Sequence, residues 1–160
     1  MQTDLFAKNT ISMSVLMTPD KANFTGNVHG GDILKYLDQV AFACASRYCG
    51  HYVVTLSVDQ VLFKHAITVG SLVTFLASVN YTGRTSMEVG IKVIAEDIQK
   101  GIATHTNSCF FTMVALGEDK KPIAIPPLVP VSEVDKRRFR DGEHRRDQRL
   151  HGSSRLTFTN

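Results

Sequence analysis

The chain has no apolar run near the roughly 18 residues that a bilayer-spanning helix needs. Its first thirty residues lack a basic segment followed by an apolar stretch and a small-residue cleavage site, so no secretory signal is expected. Cysteine is scarce: Cys44, Cys49 and Cys109 are the only three in 160 residues. Three cannot all pair within one chain, and no Cys-x-x-Cys occurs. Neither a disulfide framework nor a structural zinc site is therefore expected. Gly-x-Ser-x-Gly, a Walker loop, Gly-x-Gly-x-x-Gly and His-Glu-x-x-His are all missing. These absences point to a cytoplasmic protein with reduced, mostly buried thiols. They also remove the common signatures of serine hydrolases, nucleotide binders and zinc hydrolases.

What is present is ordinary for a globular domain, with 43% apolar and 21% charged residues. The length gives one domain room for a core. The net charge of +3 is unevenly spread. Residues 1–130 carry ten basic and ten acidic side chains, whereas residues 131–160 carry eight against five. Nucleic-acid binding would rest on that tail alone, and interleaved Asp135, Asp141, Glu143 and Asp147 weaken it.

Met13–Met17 reads as a strand, and residues 19–31 as a loop with three glycines. From Asp32 to about Tyr48 the period changes. Ile33, Leu34, Leu37, Val40, Ala41, Cys44 and Tyr48 recur at helical spacing, and Gly50 is a plausible stop. Four strand-like runs follow: Val53–Phe63, Ser71–Tyr81, Thr85–Glu96 and Ala103–Leu116. In the third, Met87, Val89, Ile91 and Val93 alternate with Glu88, Gly90 and Lys92. Short glycine-bearing breaks favour an antiparallel meander. The fold class is α+β, one long helix wrapped by a sheet of five to six strands. The far face of that sheet needs cover that one chain hardly offers, so an oligomer is expected. The organisation reads as a domain over 1–120, a proline-rich linker over 121–131, a charged helix over 132–150 and a frayed tail over 151–160. Ser132 and Asp135 resemble a capping box at the start of that helix.

Asp38 lies at the rim of the helix's apolar face. Two readings stand: a boundary aspartate turned to water, or a general base or nucleophile beside an apolar pocket. His29-Gly30-Gly31-Asp32 directly precedes the helix. Its glycines would let a ligand approach the free N–H groups of the first turn; otherwise it is a flexible loop with Asp32 as cap. Asn23 is a turn residue or a donor to a carbonyl or water. Cys44 is a poor nucleophile candidate, because it sits on the buried face with no histidine near it in sequence.

Taken together, Pro19-x-x-x-Asn23-x-x-Gly26-x-x-x-Gly30-Gly31-x-x-Leu34-x-x-x-Asp38 resembles the signature of hotdog-fold acyl-CoA thioesterases, the group joining bacterial short acyl-CoA hydrolases to animal cytosolic acyl-CoA hydrolases. The likeness extends to Val58-Asp59-x-x-x-Phe63, Gly70, Thr82-Gly83-Arg84-Thr85-Ser86-Met87 and Phe111-Thr112-Met113-Val114-Ala115. It covers roughly residues 10–130. Lys64-His65 stands where relatives often have proline, and the tail is more basic than in many. The resemblance implies a hydrolase of fatty acyl-CoA that needs no cofactor or metal. It implies dimers with a continuous sheet, often assembled as hexamers, with the motif asparagine and aspartate supplied by opposite subunits. Those positions are Asn23 and Asp38, with the Gly31 N–H as oxyanion donor. Lys64, Arg84, Thr85 and Ser86 would contact CoA, and the strand Leu56–Asp59 could pair with its pantetheine amides. The tail helix, with Arg137, Arg138, Arg145 and Arg146, would lie against the nucleotide end, or else solubilise the chain or join subunits. Because some relatives respond to nucleotides, a regulatory nucleotide is a possible further ligand. The competing reading is a non-catalytic acyl-CoA-binding regulator. A hotdog dehydratase would want a histidine on the central helix, which carries none.

Overall fold

The computed structural model describes residues 7–152. Its elements are β1 (Thr10–Leu16), a single 3-10 turn (Pro19–Lys21), α1 (Gly30–Cys49), β2 (Tyr52–Val58), β3 (Leu72–Thr82), β4 (Ser86–Asp97), β5 (Ile102–Leu116) and α2 (Glu133–Gly152). The five strands form one antiparallel sheet in the order β1-β3-β4-β5-β2. β3, β4 and β5 are the expected meander. β1 and β2 flank it at opposite edges, and α1 is the connection between them. A helix that leaves one edge and delivers the chain to the other must cross a face of the sheet, and α1 touches every strand. Ile33, Leu37, Val40, Ala41, Cys44 and Ala45 are buried against Val73, Phe75, Val89, Ile91, Val93, Phe111 and Met113. Register shifts at Thr55/Ser57, Val79/Tyr81 and Val93/Ile94 mark bulges, which bend strands and increase their twist. Among the described residues, no helix is long and apolar enough to cross a membrane.

Local boundaries differ from the sequence pattern for physical reasons. β1 starts at Thr10, because its polar–apolar alternation suits an edge strand. α1 starts at Gly30, so Gly30 and Gly31 form its first turn rather than a loop before it. His29 is the cap residue and contributes its backbone: its carbonyl accepts from the N–H of Asp32 at 3.1 Å and Ile33 at 3.3 Å. Asp32 therefore lies inside the helix and is not its cap. At the other end Gly50 adopts φ 70°, and its N–H closes on the Ser46 carbonyl at 2.8 Å. β2 stops at Val58, well before Phe63. After Asp59 donates to the Phe110 carbonyl at 2.9 Å, the chain turns away to lay Phe63 against the start of α1. α2 reaches Gly152, past the expected limit at 150; residues 153–160 of the expected frayed tail lie outside the described residues.

The outer face of the sheet is covered in part by the chain itself. α2 packs on it, contrary to the expectation that a single chain has little to offer there. Gly142 is the buried residue of α2. A Cβ there would lie 2.8 Å from Tyr81 Cβ and 3.1 Å from Glu88 Oε1, so glycine permits the close approach. Phe139 packs on Tyr81 with ring centroids 4.9 Å apart. Glu88, expected on the polar side of β4, is only 1% exposed. Arg145 binds it through Nε at 3.0 Å and Nη2 at 2.7 Å, with its guanidinium 3.6 Å from the Phe110 ring centroid. Arg149 lies 3.1 Å from Asp59 and 3.7 Å from Glu88.

All three cysteines are free and buried. Desolvation pushes the Cys44 thiol up to about 12 from its ordinary 9.0, against a weaker opposing pull from Arg47. Burial does the same to Cys109, pushed up to about 12, and the Asp59 charge adds to it.

Two outcomes are expected. Gly142→Ala should lower the thermal midpoint. Overpacking typically costs about 1–3 kcal/mol and exceeds the roughly 1 kcal/mol that alanine gains in helix propensity. A raised midpoint would mean that α2 is not seated this way. Cys44 and Cys109 should resist a disulfide reagent at pH 8 in the native protein and react on unfolding, because thiolate is the reactive form. The unfolded chain releases these protons from about pH 9 while the native protein holds them. Their contribution should therefore lower stability as pH rises from 9.0 towards about 12. Fast native labelling of either residue would contradict the burial.

Candidate active site

Leu37 and Ala41 are fully buried, which fixes the rotation of α1 and brings Asp38 out at its rim towards β2. Asp38 is exposed in the single chain. Its Oδ1 accepts the Thr55 hydroxyl at 2.7 Å. The Thr55 Oγ1 also lies 3.5 Å from the Met113 sulfur, but its single proton is better placed on the charged, closer oxygen. Thr55 sits where β2 slips register against β5. Sequence reasoning missed it, because a threonine in an apolar strand reads as an ordinary β-former.

Asn23 anchors a tight turn. Its Oδ1 accepts from the Thr25 N–H at 2.9 Å, the Thr25 hydroxyl at 2.7 Å and the Asn27 N–H at 3.2 Å. The backbone donors settle the amide orientation, so Nδ2 is the end left without a partner among the described residues. Gly31 lies in the first turn of α1, where its N–H takes no described acceptor and the space over its Cα is open.

Arg84, Thr85 and Ser86 close the β3–β4 turn. The Gly83 N–H donates to the Ser86 carbonyl at 2.8 Å, and the Arg84 and Thr85 carbonyls accept from Ile125 and Ala115, each at 3.0 Å. The Arg84 side chain is exposed. Lys64 is also exposed, in the irregular segment after β2. Ser86 lines a cavity of about 730 Å³ beneath α2. Arg145 and Arg149 are engaged in holding α2 to the sheet, so the tail helix is neither a free basic arm nor merely a solubilising one.

The structure thus joins Asp38 to Thr55. Among the described residues no hydrogen bond or ion pair joins Asn23 to Asp38, or Lys64 to the Arg84–Ser86 turn. Apolar surface lies beside Asp38: Leu34 and Phe42, one turn to either side of it on α1, are 40% exposed, and Tyr52 of the edge strand β2, whose ring centroid is 5.7 Å from that of Phe42, is 65% exposed. Among the described residues, this geometry gives no support to a regulatory nucleotide.

Comparison with known proteins supplies the family. A model of the thioesterase superfamily matches residues 25–102. Protein VdlD of Helicobacter pylori is 50% identical over 93% of this chain and 85% of its own length. The cytosolic acyl coenzyme A thioester hydrolase of Rattus norvegicus is 35% identical over 86% of this chain, which spans only 38% of that longer protein. A hexameric acyl-CoA thioesterase, solved without ligand, superposes with TM-score 0.88 at 34% identity, over 94% of this chain and 96% of its own. An acyl-CoA hydrolase of Staphylococcus aureus, solved with butyryl-CoA and CoA, superposes with TM-score 0.82 at 27% identity, over 92% of both chains. That hydrolase has also been solved as alanine variants at an asparagine, an aspartate and a threonine, successively 15 and 17 residues apart. A hotdog architecture, the matched superfamily and near-complete overlap with hydrolases of this size together make the chain a member of the thioesterase superfamily, in its acyl-CoA thioesterase group.

Proposed function

We propose that the chain hydrolyses fatty acyl-CoA to a free fatty acid and CoA in the cytoplasm, at a site completed by a second copy. The observation that carries this reading is the hydrogen bond holding Asp38 to Thr55 beside an exposed apolar edge. It fixes one carboxylate oxygen and leaves the other for chemistry. Asp38 takes a proton from water as the water oxygen bonds to the thioester carbon, or attacks that carbon itself. In the first route the carbon–sulfur bond then breaks and the proton goes to the leaving thiolate; in the second the thiolate leaves as a mixed anhydride forms, and water cleaves that anhydride, restoring the Asp38 carboxylate, releasing the acid and supplying the thiolate's proton. Asn23 Nδ2 donates to the water or the thioester. The unbonded Gly31 N–H, with the positive end of α1 behind it, stabilises the developing oxyanion.

Asn23, Asp38 and Thr55 repeat the 15- and 17-residue intervals of the three positions altered in the S. aureus hydrolase. The missing contact between Asn23 and Asp38 favours their meeting across two chains. So does the edge position of β2, whose outer hydrogen-bonding row is open to another strand. The hexameric relative favours a trimer of dimers. Lys64, Arg84, Thr85 and Ser86 are the proposed CoA contacts, cations and hydroxyls suited to phosphate and pantetheine. Residues 1–120 form the proposed catalytic unit, with 121–131 as linker to the tail helix.

Thiol release from CoA esters between acetyl and palmitoyl tests the reading. Asp38→Asn should lose about 10²–10⁴-fold in rate. Thr55→Val should lose about tenfold, the value of one hydrogen bond, with CoA affinity kept. Hydrolysis unchanged in Asp38→Asn would overturn the assignment. Acyl-CoA bound but never cleaved would return the chain to the non-catalytic reading.

The shared site has its own test. Asn23→Ala and Asp38→Ala should each be inactive yet folded and assembled. Mixing them should restore part of the activity, because a mixed dimer holds one intact site. No recovery after demonstrated subunit exchange would place both residues in one chain.

A further inference from the structure

Phe24 is 107% exposed, the most exposed of the large apolar side chains among the described residues, so it adds nothing to the core. It is also held in that position. Asn23, directly before it, accepts through Oδ1 from the Thr25 N–H and hydroxyl and from the Asn27 N–H, so these bonds close on both sides of Phe24. The Gly26 N–H donates to the Asn23 carbonyl at 3.1 Å, and the Asn23 N–H donates to the Asn27 carbonyl at 2.6 Å. Outside the turn, Ala22 pairs with Val28, and the Val28 N–H donates to the Ile67 carbonyl at 2.8 Å. The ring therefore stands at the tip of a turn that is tied down on both flanks.

Single exposed apolar residues are ordinary on a protein surface and carry no meaning alone. Two further features give this one a role. The turn that projects Phe24 is the turn that presents Asn23 Nδ2. Consecutive Cα atoms lie about 3.8 Å apart, so the surface that receives one side chain receives the other close by. The second feature is the apolar rim beside Asp38, formed by Leu34 and Phe42 of α1 and by Tyr52, whose ring packs on that of Phe42. Where Asn23 and Asp38 come from opposite copies, Phe24 of one copy arrives at that rim on the other. A thioester held there has two unlike arms. The CoA arm is polar and anionic and suits cations, whereas the acyl arm is apolar and suits the rim.

We propose that Phe24 sets the acyl-chain length accepted by the partner's site: its ring closes the apolar space over the partner's Leu34, Phe42 and Tyr52 and stops the chain. This rests on the shared-site reading of the hydrolase. Phe24 takes no part in the chemical step. Its bulk acts on the far end of the acyl arm, so it governs which esters are preferred. A smaller side chain leaves room for further methylenes, and a larger one removes it. The hydrogen bonds of the turn use backbone groups and the side chains of Asn23 and Thr25, so replacing Phe24 removes none of them.

The test measures kcat/KM for CoA esters from butyryl to palmitoyl in Phe24→Ala and Phe24→Trp, with assembly checked in each. The ratio of palmitoyl to butyryl should rise about tenfold or more in Phe24→Ala and fall by as much in Phe24→Trp, the scale of a methylene in an apolar pocket. Binding of S-alkyl-CoA thioethers of the same lengths, which hydrolysis cannot cleave, should shift in the same sense. It reads the length preference whether or not the chain cleaves esters, so failure of this proposal and failure of the hydrolase reading are distinct results. Mixing assigns the copies. In a dimer of Asn23→Ala with Asp38→Ala, the one intact site takes Asp38 from the first chain and Asn23, with its Phe24, from the second. Phe24→Ala added to the Asp38→Ala chain should therefore alter the length ratio of the restored activity, whereas added to the Asn23→Ala chain it should not. A ratio unchanged in both Phe24 variants, or moved the same way by both, would overturn the proposal. So would a shift carried by the Asn23→Ala chain, or no restored activity after subunit exchange. Loss of assembly with the ratio kept would also overturn it, by making Phe24 an anchor between subunits instead.

Discussion

Burial of one stripe of α1 against the sheet is the constraint on which the rest depends. Leu37, Ala41, Cys44 and Ala45 are fully enclosed, and none can turn outward without opening the core. A buried leucine contributes roughly 1.5–3 kcal/mol, so several such residues hold the rotation of the helix firmly. At 3.6 residues per turn, that rotation leaves Asp38 at the margin of the stripe, facing β2. The strand order gives the same result. β2 lies at the sheet edge because α1 has carried the chain across from β1. Thr55 and Asp38 therefore meet as a consequence of core packing.

The outer face is organised differently. α2 is charged along most of its length and has one buried residue, Gly142. Such a helix gains little from apolar burial, and an isolated helix of this kind would be marginal. Its seat is an ion cluster and two aromatic contacts: Arg145 on Glu88 and Phe110, Arg149 on Asp59, and Phe139 on Tyr81. Burying Glu88 carries a desolvation cost that the bidentate guanidinium offsets. Pairs of this kind specify position more than they add stability. Arg145 has one place where both of its donor nitrogens are satisfied, which sets how α2 lies on the sheet.

The parts of this architecture legible in the sequence are those with short range. Alternation marked β4, strand-like apolar runs marked β3 and β5, helical spacing marked α1, and Gly50 marked its end. The family motif was legible for the same reason, since Pro19 to Asp38 is one loop and two turns of helix. Glu88 was misread because alternation separates two faces but cannot say whether the polar one meets water or a charged helix. That helix begins 45 residues after Glu88. Thr55 was invisible because its role exists only where β2 meets α1. Gly30 and Gly31 looked like loop because their helical propensity is poor, yet they form the first turn of α1, with Phe63 lying against Gly30.

An exposed carboxylate competes with water for every partner, and in a high-dielectric setting it is a weak catalyst. Asp38 is in that position in the single chain. Its surroundings, however, are unlike ordinary surface, because Leu34, Phe42 and Tyr52 present apolar area to solvent beside it. A second copy laid along β2 would bury that area and exclude water from Asp38 in the same step. The apolar rim would then have one physical role in assembly and another in catalysis, and neither would require Asp38 to be buried as the chain folds. On the proposed reading, the charge would stay in water until a partner with its own hydrogen-bond donor, the Nδ2 of Asn23, enclosed it.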